Sequence, residues 1–173
     1  MKFISIFILV LSVFMITVNT YGQKKCAFQI DTLKILTNQN LSELLAEFSK
    51  DSFRVTNNKS DIPQFIKSQL NCLANGFSIA NPNQPYQATD VISQRLPKRQ
   101  LVFLAQSHKM IVITYLLGGW GVSRHLVFIK FEGKKITDLW TGRCLNGMDS
   151  KEGIINYLKS TKSEDLHSNM IYF

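Results

Sequence analysis

Residues 126–140 read LVFIKFEGKKITDLW. An apolar run, the polar step Glu132-Gly133-Lys134-Lys135 and a second apolar run make the pattern of two antiparallel strands joined by a tight turn. The same pattern extends upstream. Leu101 to Ala105 leads through Ser107 and His108 into MIVITYLL, Met110 to Leu117, whose unbroken apolar run predicts a strand buried on both faces. Gly118-Gly119-Trp120-Gly121 then reverses the chain into Arg124 to Phe131, and Ile136 to Trp140 closes a four-stranded meander.

Helices lie in front of this meander. Asn40 is placed to cap one, with Glu43 reaching back, and Leu41, Leu44, Leu45 and Phe48 fall at i, i+3, i+4 and i+7. A second starts near Asp61 and Pro63, carries Phe65, Ile66, Leu70 and Leu73 on one face, and ends at Gly76, a residue suited to the left-handed turn after a helix. The crossing from Phe77 to Pro97 is irregular, with one strand expected over about Gln87 to Ser93. Asp149, with Glu152 three residues on, opens a short closing helix that holds Ile154, Ile155 and Leu158. The fold class is α+β, with helices packed on an antiparallel sheet.

The first 22 residues read as a cleavable export signal. Lys2 precedes an apolar stretch from Phe3 to Val18, and Thr20 and Gly22 place small residues before a cut at Gln23. The stretch is shorter than the 18 or so residues that span hydrocarbon, so no membrane span is expected after cleavage. The working protein is then one domain, 23–173, in a secreted or periplasmic setting. Losing a leader that carries only Lys2 takes the net charge from +8 to +7. The positive residues form scattered pairs such as Lys98 and Arg99 rather than a stripe with interleaved aromatics, which argues against nucleic acid as partner. No metal or cofactor is expected, because the histidines His108, His125 and His167 lie far apart, no CxxC occurs, and the glycine turn lacks phosphate-binding spacing. Three cysteines, Cys26, Cys72 and Cys144, imply one disulfide and one leftover thiol, with all three pairings open.

Over about residues 41–144, the helix LSELLAEF, the helix IPQFIKSQL and the closing hairpin resemble the nuclear transport factor 2-like superfamily of cone folds. The hairpin carries most of the likeness, through Phe131, Glu132, Gly133, Lys134, Ile136 and Trp140. The resemblance implies a curved sheet bent around a pocket roofed by helices. Some members of that superfamily are isomerases, cyclases or dehydratases, with an Asp–His pair or a tyrosine and an acid inside the cone. Many only bind a ligand or a partner.

With Gly133 and Lys134 in the turn, Phe131 faces Ile136, Ile129 faces Asp138, Val127 faces Trp140 and His125 faces Gly142. Alternation then puts His125, Val127, Ile129, Phe131, Ile136, Asp138 and Trp140 on one face. A carboxylate among large apolar side chains is what a general base needs, so Asp138 leads the catalytic candidates, with His125 second. The ordinary alternative for Asp138 is pairing with a nearby Lys or Arg. Cys72, His125 and Asp138 also occur in the chain order of papain-like enzymes. However, His125 is about 13 Å along the ladder from the residue facing Asp138, at ~3.3 Å per residue, and Cys72 sits near a helix C-terminus, where no dipole activates a thiol. A Cys144–His125 couple is conceivable diagonally across the strands, although a bridge from Cys144 to Cys72 or Cys26 is the more ordinary expectation. Trp120, displayed by its glycine turn, is suited to anchor a partner or a sugar. The ligand-binding candidates are therefore Trp140, Trp120 and Asp138.

The expected function is a non-catalytic module that binds a small ligand or a protein partner. Two alternatives stand beside it: a small exported isomerase or hydrolase using Asp138 with His125 or a cysteine–histidine couple, and a secreted inhibitor or immunity-like protein.

Overall fold

The computed structural model describes residues 26–90, 95–144 and 147–161. The expected leader, 1–22, lies outside them. The elements in chain order are helix α1 (Thr32–Leu36), helix α2 (Leu41–Lys50), strand β1 (Arg54–Val55), a 3-10 turn (Lys59–Asp61), helix α3 (Gln64–Leu73), strands β2 (Ile79–Ala80), β3 (Arg99–Gln106), β4 (Met110–Leu117), β5 (Ser123–Glu132) and β6 (Lys135–Cys144), and helix α4 (Lys151–Ser160). The fold is α+β. One sheet runs in the order β1-β3-β4-β5-β6, antiparallel throughout, with the two-residue β2 added parallel to β3.

Helices cover both faces of this sheet, as two phenylalanines of β5 demonstrate. Phe128 meets Phe48 of α2 edge to face at 5.5 Å between centroids, whereas Phe131 meets Phe65 of α3 in the same way at 5.3 Å. Residues 128 and 131 differ in parity, so α2 and α3 lie on opposite sides. The α2 side also holds α4, whose Lys151 ammonium lies 5.5 Å from the Phe48 ring and donates to the Asp51 carbonyl at 2.8 Å. Two covered faces explain why every residue from Met110 to Tyr115 is buried, as the apolar run predicted. Each such side chain contributes about 1.5–3 kcal/mol of burial.

On the α3 side, a disulfide joins Cys26 to Cys72 near the end of α3. The buried Gln69 one turn earlier donates to the Phe28 carbonyl at 2.8 Å and accepts from the Phe28 N–H at 3.1 Å, pinning the entering chain like a strand neighbour. Past α3 the backbone turns left-handed at Asn75 and Gly76, the stop expected at Gly76.

Three expectations are corrected. Asn40 occupies the cap position of α2 but makes no side-chain cap; its amide is used across the molecule on β6. Ser150, not Asp149, caps α4, its Oγ accepting from the Gly153 N–H. Gln87 to Asp90, the described part of the strand expected at 87–93, is not a strand: the Gln87 N–H bonds the Pro97 carbonyl instead of a ladder.

The largest correction concerns the β5–β6 register. Phe131 does pair with Ile136, but the next pair is Lys130 with Asp138, because Thr137 is an extra residue bulging out of β6. Past the bulge each partner is displaced by one, giving Ile129–Leu139, Phe128–Trp140 and His125–Arg143. His125, Val127, Ile129, Phe131 and Ile136 share the α3 face, while Asp138 and Trp140 lie on the α2 face.

Candidate functional site

Asp138 sits where α1 and α2 meet β6. Its Oδ2 pairs with the Lys34 ammonium at 3.0 Å, and its Oδ1 accepts from the Asn40 amide at 2.8 Å and from the Leu139 N–H at 2.9 Å. Asn40 donates also to the Leu139 carbonyl at 3.1 Å. A carboxylate with three donors, one of them an ammonium, fixes the helical front onto the sheet, which is a structural engagement and not that of a general base facing a cavity. Trp140 belongs to the same joint. It is 1 % exposed, its indole N–H donates to Asn38 Oδ1 at 2.9 Å, and its ring covers Gly142 so closely that a Cβ there would collide with it.

His125 lies on the other side of the sheet, so the bulge places the Asp138–His125 pair on opposite faces. The imidazole stacks on Tyr115, the residue paired with it on β4, at 5.4 Å and 13°. Its Nε2 shares a 2.8 Å hydrogen bond with Ser123 Oγ. Burial, reinforced by the positive charges of Arg143 and Arg99, pulls its pKa down to about 4, so the ring is neutral at ordinary pH. Arg99, buried itself, lays its guanidinium over the Phe77 ring at 4.6 Å and donates to the Gly76 carbonyl at 3.3 Å. Burial pushes the Tyr115 hydroxyl up to about 12 against the opposing pull of Arg99.

Cys144 is a buried, unbridged thiol, and its expected bridge to Cys72 or Cys26 is replaced by the one those two make with each other. It pairs with Arg124 rather than standing diagonal to His125 on the same face. Burial pushes its pKa up to about 12, the opposite of what a nucleophile needs. Cys72, being in the disulfide, has no thiol to offer.

Trp120 is different in kind. It is 103 % exposed, as open as an isolated residue, and Val122 two positions on is 51 % exposed. Gly119 and Gly121 flank it at φ +144° and +155°, values that side-chain-bearing residues rarely take. The base of this tip is held firmly. The Gly118 N–H donates to the Lys98 carbonyl at 3.1 Å, and the Gln87 carbonyl packs against Gly118 so closely that no Cβ would fit. An indole is thus projected into solvent from an anchored turn.

Basic residues surround that end of the sheet: Lys98 before β3, Arg124 near the start of β5 and Arg143 near the end of β6. Every ion pair among the described residues is made by Lys34, Lys109 or Lys130, with Asp138, Glu43, Glu47 and Asp51 as partners. Of these, Lys109 and Lys130 pair with the α2 side at the far end, near the turns joining β3 to β4 and β5 to β6. The sequence pointed to Trp120 but not to Arg124 and Arg143, whose placement at the same end of the sheet depends on strand register. Lys34 and Asn40, the residues that engage Asp138, are about a hundred positions from it in sequence and carried no local signal.

Among the described residues no helix is long and apolar enough to cross a membrane. No family model, curated protein or solved structure matches this chain.

Proposed function

We propose that this protein is a non-catalytic, exported binding module whose contact surface is the β4–β5 hairpin tip. The observation that carries the reading is Trp120, wholly exposed on an anchored turn with Val122 beside it. Tryptophan is the side chain most enriched at binding hot spots, and leaving it in water is costly unless something covers it. The groups that an enzyme of this sequence would use are engaged or withdrawn: Asp138 by Lys34 and Asn40, His125 by burial on the opposite face, Cys72 by its bridge. Export rests on the leader pattern and agrees with a disulfide that oxidising compartments favour. Kinship with the cone-fold superfamily remains part of the proposal, with binding at the sheet's end instead of under a helical roof.

The test is co-isolation from the producing culture with the tagged chain and its Trp120→Ala variant. A stoichiometric partner kept by the parent and lost by the variant supports the reading. A partner retained equally by both, or turnover abolished by Asp138→Asn in a folded protein, sinks it.

A further inference from the structure

Resting on that reading, we infer that the partner is a protein presenting clustered carboxylates, received by Arg124 and Arg143 on the two sides of the sheet end while Trp120 enters an apolar recess between them. The charge distribution points there. The acids of α2, Glu43, Glu47 and Asp51, are taken up by Lys109 and Lys130 at the far end, whereas Arg124 and Arg143 make no ion pair among the described residues. Arg124 faces the α2 side and Arg143 the α3 side, so their guanidiniums bracket the edge from which the tip projects. Lys98 adds a third charge, and the exposed acids whose chain positions lie closest to this end are Asp90, on the loop under Gly118, and Asp149, after β6. Keeping like charges together opposes folding, and an acidic partner turns that cost into attraction.

The residue types narrow the partner further. Guanidinium binds carboxylate through two parallel N–H donors, and arginine beside tryptophan is the commonest hot-spot composition. Single-stranded nucleic acid needs several stacking platforms, and Phe77 and Tyr115 are engaged with each other at 5.6 Å beneath Arg99. Electrostatic docking on anionic lipid takes a contiguous cluster of about 4–8 basic residues, whereas Arg124 and Arg143 lie on opposite faces of the sheet.

The probe is poly-L-glutamate, titrated into the full chain and followed by isothermal titration calorimetry, with heparin and phosphatidylglycerol vesicles in parallel. Binding to poly-L-glutamate that weakens steeply with salt is expected. Arg124→Glu with Arg143→Glu should weaken it about tenfold or more, the Lys pair at both sites about threefold, and Lys134→Glu with Lys135→Glu at the far turn should leave it unchanged. Near-UV dichroism confirms that each variant is folded. Equal loss in the far-turn variant, binding to heparin or vesicles but not to poly-L-glutamate, or no binding to any probe overturns the inference. So does poly-L-glutamate binding that emerges only when residues 162–173, which include Glu164 and Asp165, are removed, because the occupant is then this chain's own tail. If Trp120→Ala binds normally while the arginine variants do not, the acidic partner stands and the tryptophan anchor falls.

Discussion

His125 shows what burial does to one titratable ring. In the fold its pKa is pulled down to about 4, while the unfolded chain takes up its proton at the usual 6.5. Between those values the unfolded state holds a proton that the folded state does not, so stability falls as pH drops from 6.5 toward 4 and this group's contribution is constant outside that window. The full window is worth at most ~3 kcal/mol. Urea midpoints at pH 7.5 and 5.0 should therefore separate more for the parent than for His125→Gln. Asp138 makes a second residue-scale case. In Asp138→Asn the Asn40 amide and the Leu139 N–H keep an oxygen to bond, and only the half-exposed Lys34 ion pair is lost. The expected cost in a urea titration is about 1 kcal/mol, with the fold retained.

At the scale of elements, Thr137 is the extra residue of β6. Deleting it would make Phe131–Ile136 and Lys130–Asp138 consecutive rungs of a regular ladder, with Asp138 and Trp140 still on the α2 face beside Lys34, Asn40 and Asn38. The deletion should therefore keep cooperative unfolding and the near-UV dichroism of a packed indole, and Thr137→Ala, at an exposed position, should stay within ~0.5 kcal/mol of the parent. The bulge was illegible in the sequence for a physical reason. Alternation reports register only when one face is wet, and here Leu139 and Trp140 are both buried because helices cover both sides. The meander itself was legible, with Met110–Leu117 found at the expected limits, since an apolar run between polar turns has few other solutions. Asn40 looked like a cap because caps are local, but its long-range partners on β6 outweighed the local bond. Trp120 was legible because three glycines around one indole leave little to bury it.

For the whole molecule, the Cys26–Cys72 bridge closes a loop with a sequence separation of 46 and ties the entering chain to α3. A loop of that length is worth about 4 kcal/mol in the chain-entropy account. Thiol titration without reductant should find no reactive group in the native protein and one, Cys144, after unfolding in guanidinium. Two or three would mean that the bridge is absent. At this scale the molecule is also polar in charge, with the acids of α2 paired at one end of the sheet and arginines bracketing an exposed indole at the other. That asymmetry makes one end the place to look for a partner. The most direct measurement puts a photo-crosslinking residue at position 120 and, as a control, at position 33, where Leu33 is also exposed but on α1. Illumination in the producing culture is predicted to give one discrete adduct from position 120 and none from position 33. No adduct from 120, or the same adducts from both positions, would contradict a binding surface at the hairpin tip.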